Sequence, residues 1–134
     1  MRSDFVDKDI LSHVLYALTY ENRLACKVAI ETGLRIGDVL SIRTEQLRKK
    51  NSFTITEQKT GKKRSVRLSA ALKKELQTIS GAVFVFEHRT DPMKHRTRQA
   101  VYKDIKRAAK LFRVKQNLTP HTIRKLYAVD SLRK

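Results

Sequence analysis

The chain has 134 residues, 40% of them hydrophobic, which suits one folded domain with one core and excludes a disordered tail. Thirty lysines and arginines against 13 acidic residues give a formal net charge of +17, which indicates a polyanionic partner, nucleic acid in preference to a membrane surface. No apolar run approaches the ~20 residues of a membrane span, the N-terminus has no signal peptide, and the single cysteine excludes an internal disulfide, so we expect a cytoplasmic protein.

Helices are predicted for the first third of the chain. Apolar residues follow a helical stripe in Asp7 to Tyr20, and the pattern repeats in Asn22 to Thr32. Gly33 suits the left-handed residue that ends a helix, and a short third helix is expected from Ile36 to Ile42. Glu45 to Leu47 is predicted to be a turn.

The stretch from Thr32 to Ile42 is mostly apolar, yet it carries Arg35 and Asp38 three residues apart. A charge that enters a core is costly unless it is paired or has an anionic ligand. Two interpretations follow. The two side chains form an intramolecular salt bridge, or Arg35 belongs to a preorganised site for an anion such as phosphate.

A hairpin is predicted next, because apolar and polar residues alternate in Phe53 to Thr56 and again in Ser65 to Leu68. The connection between these strands is basic and has Gly61 for its turn. Its tip is either a solvated loop or a finger that places a lysine on a phosphate backbone.

A helix is predicted from Ser69, as its cap, to Ile79. Val83 to Phe86 is expected to be a third strand or a buried extended segment. Glu87 to Arg98 is a predicted basic loop, either solvated or in contact with phosphates. His88 and His95 have no further ligand at metal-binding spacing, so no metal site is predicted.

Two more helices are predicted toward the end of the sequence. Thr97 to Phe112 has one apolar and one basic face, and Thr119 can cap a following helix that has Pro120 at its first position. His121 and Arg124 then project from one face near the helix start. Free N–H groups and the helix dipole favour a bound phosphate there, so this pair indicates a second half of an anion site.

Three stretches therefore point to the same ligand, and together they resemble the catalytic domain of the tyrosine recombinases, the phage integrase family. They are Thr32-Gly33-Leu34-Arg35-Ile36-Gly37-Asp38-Val39-Leu40, Gln58-Lys59-Thr60-Gly61-Lys62 and His121-Thr122-Ile123-Arg124-Lys125-Leu126-Tyr127-Ala128. The resemblance covers nearly the whole chain and agrees in order and spacing. It implies a mainly α fold with a small antiparallel β-sheet (α+β).

The resemblance also implies a reaction. In this family a tyrosine attacks a phosphate of double-stranded DNA, which forms a 3′-phosphotyrosyl link and frees a 5′-hydroxyl, without metal or cofactor. Arg35 and Arg124 match the two catalytic arginines, whose forked donors suit the non-bridging oxygens of the transition state. His121 matches a general acid/base or hydrogen-bond donor at the phosphate.

Lys59 matches the hairpin lysine that protonates the leaving 5′-oxygen, although Lys62 and Lys63 compete for that role by their position. Asp38 matches an acidic position that supports the site. The cations expected to contact the DNA are Lys62, Lys63, Arg64, Arg89, Lys94, Arg96 and Arg98.

The family pattern continues past Arg124 to a further His or Trp and then to the nucleophilic tyrosine, whereas this sequence ends at Lys134. Tyr127 falls where the family has a core aromatic, so no nucleophile is assigned. We expect a single integrase-like catalytic domain over 1–134, without the N-terminal DNA-clamping domain and inactive alone. We expect it to be associated with the nucleoid in the cytoplasm and to have a prokaryotic, phage or mobile-element origin. Other recombinase protomers on DNA are possible partners. A non-catalytic DNA-binding protein or remnant is the alternative, and a basic coat protein is a third reading.

Overall fold

The structure is a computed structural model that describes residues 8–49 and 52–125. Its elements are, in order, α1 (Lys8–Ala17), α2 (Tyr20–Thr32), α3 (Ile36–Leu40), α4 (Thr44–Leu47), β1 (Phe53–Thr56), β2 (Lys63–Val66), α5 (Ala70–Ile79) and α6 (Arg98–Leu111). Residues 120–125 are again helical. This is the predicted mainly α arrangement with a small antiparallel sheet.

Helix α2 lies at the centre and packs against α1, α3 and α5, while α6 packs against α1 and α3. The predicted inward face of α2 is buried, with Leu24 and Val28 fully enclosed. Leu111, the last residue of α6, is 64% exposed although it is apolar. No helix in 8–49 or 52–125 has the length and apolar character needed to cross a membrane.

The helix caps predicted at Ser69 and Thr119 are present, and the structure adds a third at Thr97. Three hydroxyl oxygens accept the backbone N–H three residues further on, at 3.3, 3.2 and 3.1 Å, and they belong to Ser69, Thr97 and Thr119. Gly33 ends α2 with a φ of +76° and donates its N–H to the Ala29 carbonyl at 2.9 Å. These caps set where the helices that carry the site begin and end.

The hairpin has the predicted antiparallel pairing, with Phe53 opposite Val66 and Thr56 opposite Lys63. Its second strand begins two residues before the predicted start, because the loop closes tightly. The Glu57 N–H donates to the Lys62 carbonyl at 2.9 Å, which leaves Lys63 to pair directly with β1.

Two other segments differ from or refine the prediction. The predicted turn at Glu45 is part of the short helix α4, whose start is fixed because the Thr44 N–H donates to the Val83 carbonyl at 3.0 Å. The segment Val83 to Phe86 is not a third strand but the alternative segment, whose end is buried. It forms one isolated β-bridge, between Phe84 and Arg43, and the Val85 N–H donates to the Ile42 carbonyl at 3.1 Å. Both outcomes depend on contacts between distant parts of the chain.

A buried carboxylate ties α6 to the turn between α1 and α2. Asp104 accepts the Thr19 N–H at 2.9 Å and the Asn22 side-chain amide at 2.8 Å, and Arg107 donates to it at 2.6 Å. Burial opposes ionisation of Asp104, but these hydrogen bonds outweigh it and hold its pKa below the usual value of 3.8. Arg107 also donates to the Ala17 carbonyl at 2.6 Å, so five residues are joined in this network.

Candidate active site

The turn between α2 and α3 brings Arg35 to the surface. The preceding residue, Leu34, is fully buried, and Arg35 occupies the extended N-cap position of α3 with its side chain exposed. Among the described residues, Arg35 makes no ion pair or side-chain hydrogen bond. The expected alternative of an Arg35–Asp38 salt bridge is therefore wrong, because Asp38 points into the fold and Arg35 points out of it.

Asp38 is 2% exposed and is satisfied by the hairpin. Its Oδ1 accepts the backbone N–H of Gln58 at 3.0 Å. The hairpin approaches α3 so closely at this point that a Cβ at Gly37 would lie 3.1 Å from Oε1 of Gln58. Since Lys59 is the next residue, Asp38 holds the root of the loop that carries the predicted catalytic lysine.

His121 and Arg124 meet at the start of the last helix, as their spacing predicts. Nη2 of Arg124 lies 3.1 Å from Nδ1 of His121, and Nη1 donates to the Gly33 carbonyl at 2.7 Å. Because a guanidinium only donates, Nδ1 must accept, which leaves the ring proton on Nε2. His121 is exposed and can present that N–H to a ligand.

Arg64 reaches the same corner from strand β2. Its Nη2 donates to the Thr32 carbonyl at 2.5 Å, and its Nη1 lies 3.4 Å from the Gly33 carbonyl and 3.6 Å from a Glu57 carboxylate oxygen. Arg64 is half-buried, so part of its donor set serves the protein. Its predicted contact with DNA remains a prediction.

A small pocket of about 120 Å³ lies between these groups. Its lining includes four basic side chains, which are Arg35, Arg98, His121 and Arg124. Larger hollows of about 440 and 530 Å³ lie beside α2 and α5 and at the end of α6, but neither combines a histidine with converging arginines. The small pocket is thus the place where anion-binding groups come together.

The electrostatics of the corner favour an anion. Burial, followed by the nearby charges of Arg35 and Arg64, lowers the pKa of Arg124 below its usual value. The carboxyl of Glu57 has its pKa lowered, first by the Thr60 hydroxyl and then by the two arginines Arg64 and Arg35. Three guanidinium groups close together with one carboxylate leave an excess of positive charge, which an anionic ligand would relieve.

The other predicted cations fall into two groups. Lys59, Lys62 and Lys63 are exposed on the hairpin, next to the corner. The loop before α6 holds an exposed Arg89, an exposed Lys94 and a half-buried Arg96. Arg98, the first residue of α6, follows this loop and lines the pocket. Among described contacts, nothing joins Arg89 or Lys94 to the pocket residues.

The tyrosines are distributed as follows. Tyr102 lines the pocket. Tyr16 and Tyr20 lie elsewhere, with their ring centres 4.8 and 5.8 Å from Cζ of Arg23. Tyr127 lies outside the described residues. Within 8–49 and 52–125, no three His, Cys, Asp or Glu side chains converge as metal ligands would.

Sequence reasoning missed three features of this corner. It assigned no role to the carbonyls of Thr32 and Gly33, to the backbone of Gln58 or to Tyr102. The end of α2 carried a signal, because carbonyls at a helix C-terminus lack helical partners and attract cations.

Comparisons with known proteins bear on the family and the fold of this chain. The model of the phage integrase family matches residues 4–134. A tyrosine recombinase of Thermosipho africanus (strain TCF52B) is 30% identical over 140 residues, covering 98% of this chain and 48% of that protein. The chain thus spans about half the length of this curated relative.

Solved structures share the fold. A lambda integrase fragment (residues 75–356) bound to DNA matches with a TM-score of 0.73 and 20% identity, over 92% of this chain and 49% of that one. The lambda integrase catalytic core matches with a TM-score of 0.72 and 20% identity, over 92% of this chain and 80% of that one. XerA recombinase matches with a TM-score of 0.68 and 17% identity, over 96% of this chain and 50% of that one. The chain belongs to the phage integrase family, the tyrosine recombinases.

Proposed function

We propose that the chain is the catalytic domain of a site-specific DNA recombinase, which binds duplex DNA and holds the scissile phosphate for cleavage and rejoining by a tyrosine. The observation that carries this proposal is the convergence of Arg35, His121 and Arg124 on one small pocket, beside the hairpin that bears Lys59. A solved relative of the same fold is a complex with DNA, which supports duplex DNA as the ligand.

Each polar group has a distinct task in this proposal. Attack by a tyrosine oxygen on phosphorus places extra negative charge on the non-bridging oxygens, and Arg35 and Arg124 offer forked donors to them. His121 can donate from Nε2, since its Nδ1 is occupied by Arg124. The P–O5′ bond breaks, and Lys59 gives a proton to the leaving oxygen.

The loop before α6 and the hairpin would hold the DNA on either side of that phosphate. Their cations carry little sequence information, because phosphate contacts position a protein on DNA without distinguishing bases. They would supply salt-dependent affinity, and the residues we assign to this role are Lys62, Lys63, Arg89, Lys94, Arg96 and Arg98.

The enzymatic part is tested with the full-length product of the gene and a nicked suicide duplex, from which the freed strand diffuses away. We expect a covalent 3′-linked adduct, and peptide mapping of it identifies the attacking tyrosine. Arg35→Lys and Arg124→Lys should each slow adduct formation about 100-fold, because an ammonium cannot replace a forked donor.

Arg67→Lys is the matched control. Arg67 is exposed and follows Val66, at the end of the hairpin away from its loop, so its replacement should leave the rate unchanged. Absence of any adduct would refute the enzymatic proposal. Tight DNA binding without an adduct would favour the non-catalytic DNA-binding alternative.

A further inference from the structure

Arg64 lies on the inner face of the hairpin. Along β2 the exposed residues Lys63 and Ser65 alternate with Arg64, which is half-buried, and Val66, which is buried. In the register of the sheet Arg64 stands opposite Ile55, another inward residue. Its side chain is therefore directed toward the body of the protein, unlike that of Lys63.

The contacts of Arg64 join two elements. Its guanidinium donates to the Thr32 carbonyl at 2.5 Å, at the end of α2, where the helix dipole adds partial negative charge. The Glu57 carboxylate lies 3.6 Å away, at the other end of the hairpin loop. The Thr60 hydroxyl donates to Glu57 at 2.8 Å, so the carboxylate that faces Arg64 is itself held within the loop.

The carbonyl of Gly33 connects this arrangement with the last helix. It accepts Nη1 of Arg124 at 2.7 Å, and Nη1 of Arg64 lies 3.4 Å from the same oxygen. The left-handed conformation of Gly33, with φ +76°, leaves this carbonyl free of helical partners and open to both arginines. One peptide group thus lies between the hairpin and Arg124.

We propose that Arg64 is a positioning residue, which fastens the hairpin to the Gly33 corner and so holds Lys59 in place relative to Arg124. This inference rests on the proposed function for the roles of Lys59 and Arg124. It gives Arg64 a task different from that of the exposed Lys62 and Lys63, which remain available to DNA. The Thr32 and Gly33 carbonyls and the Glu57 carboxylate lie in different directions from Arg64, so a forked donor is needed to reach them. A lysine therefore cannot fully replace Arg64.

The positioning itself is tested on the 134-residue chain by amide hydrogen exchange. The reporter is the Gln58 N–H, which is bonded to Asp38 across the hairpin root. Arg64→Ala should accelerate its exchange about tenfold, and Arg64→Lys by less, because charged hydrogen bonds that close the hairpin are lost. Arg67→Ala removes the same charge and should leave Gln58 unchanged.

Two results would overturn the inference. One is Gln58 exchange in Arg64→Ala that equals that of the wild type. The other is an equal acceleration at buried amides of α6 such as Ile105, which would make Arg64 a support of the whole fold. Arg64→Lys keeps the charge and most of the side-chain stem, so it provides a readout if the alanine variant does not fold.

A second measurement separates this inference from the proposed function. With the full-length gene product, a duplex with sulfur in place of the scissile 5′-oxygen releases a thiolate, which needs no proton because thiols have a pKa of about 8.5. The rate defects of Lys59→Ala and Arg64→Ala should both shrink on this substrate. An Arg64→Ala defect of equal size on both substrates would overturn its link to Lys59. If the wild type forms no adduct, the proposed function fails and the exchange result still decides the role of Arg64.

Discussion

Asp38 accepts the backbone N–H of Gln58 at 3.0 Å, and this bond joins helix α3 to the root of the hairpin loop. Each of these two residues is close in sequence to one that the proposed chemistry needs, because Arg35 is three positions before Asp38 and Lys59 directly follows Gln58. Because Asp38 is buried, this bond holds the root of the hairpin loop against α3. The acidic residue of the first motif therefore has a structural task that its sequence neighbourhood does not reveal.

Asp38→Ala should lower the free energy of unfolding by about 1–3 kcal/mol, because it leaves the Gln58 N–H without its acceptor. Asp38→Asn keeps an oxygen at that position and should cost less than the alanine change. Urea unfolding followed by circular dichroism measures both variants. Equal losses for alanine and asparagine would show that the hydrogen bond is not what Asp38 contributes.

Gly37→Ala tests how closely the hairpin must approach α3. Alanine favours a helix over glycine, yet its Cβ would lie 3.1 Å from Oε1 of Gln58, so the exposed Gln58 side chain would have to shift at the root of the hairpin loop. We expect weaker DNA binding with no loss of stability, and Gln58→Ala in the same chain should restore the affinity. The coupling in this double-mutant cycle should be about 1 kcal/mol. Additive effects of the two changes would contradict the steric explanation.

Replacement of site arginines by lysine separates geometry from charge in DNA binding by the 134-residue chain. Arg35→Lys and Arg124→Lys should each weaken binding of a short duplex about tenfold, because a point charge loses the forked contacts. The salt dependence should stay unchanged, since the number of cations is the same. Fluorescence anisotropy over a salt series measures both quantities.

Arg67→Lys is again the control for this experiment and should bind as the wild type does. By contrast, Arg35→Ala should reduce the slope of log K against log salt by about 1, as expected when one phosphate contact is lost. If all arginine variants behaved like Arg67→Lys, the chain would bind DNA through its net charge alone. That result would favour the hypothesis of a basic protein that coats nucleic acid.

The Asp104 network predicts a dependence of stability on pH. Because the pKa of Asp104 is lowered in the folded state, its contribution is complete above the ordinary value of 3.8 and is lost as the pH falls through the folded-state pKa. Asp104→Asn should lower the free energy of unfolding by about 2 kcal/mol at neutral pH. The reason is that an amide has one acceptor oxygen, whereas the carboxylate accepts hydrogen bonds from three residues.

The difference in unfolding free energy between wild type and Asp104→Asn should therefore shrink below pH 3.8. Urea unfolding at a series of pH values measures it. Asp91→Asn, in the loop before α6, is the control and should show a smaller loss at neutral pH. A difference from wild type that does not change with pH would mean that the charge of Asp104 is not what stabilises the network.

Local signals were enough to predict much of this molecule. The hydroxyl caps at Ser69 and Thr119, the left-handed Gly33 and the proximity of His121 to Arg124 depend on neighbours within four residues, and the structure has them where they were expected. Helix and strand periodicity likewise gave the order of the elements, apart from the short helix α4.

The features that could not be predicted depend on distant partners. The partner of Asp38 is 20 residues away, and that of Arg64 is 32 residues away, on another element. Alternation along β2 shows that Lys63 and Arg64 face opposite ways, but only packing against α2 decides which one points inward. For the same reason, the sequence could not distinguish an Arg35–Asp38 salt bridge from an arrangement in which Asp38 points into the fold and Arg35 points out of it.

The most direct test of the central claim is a crystal structure of the chain with a DNA duplex. We predict one backbone phosphate within hydrogen-bond distance of the guanidinium groups of both Arg35 and Arg124, with His121 donating from Nε2 and Lys59 turned toward a bridging oxygen. DNA bound on another face, with no phosphate between Arg35 and Arg124, would contradict the account.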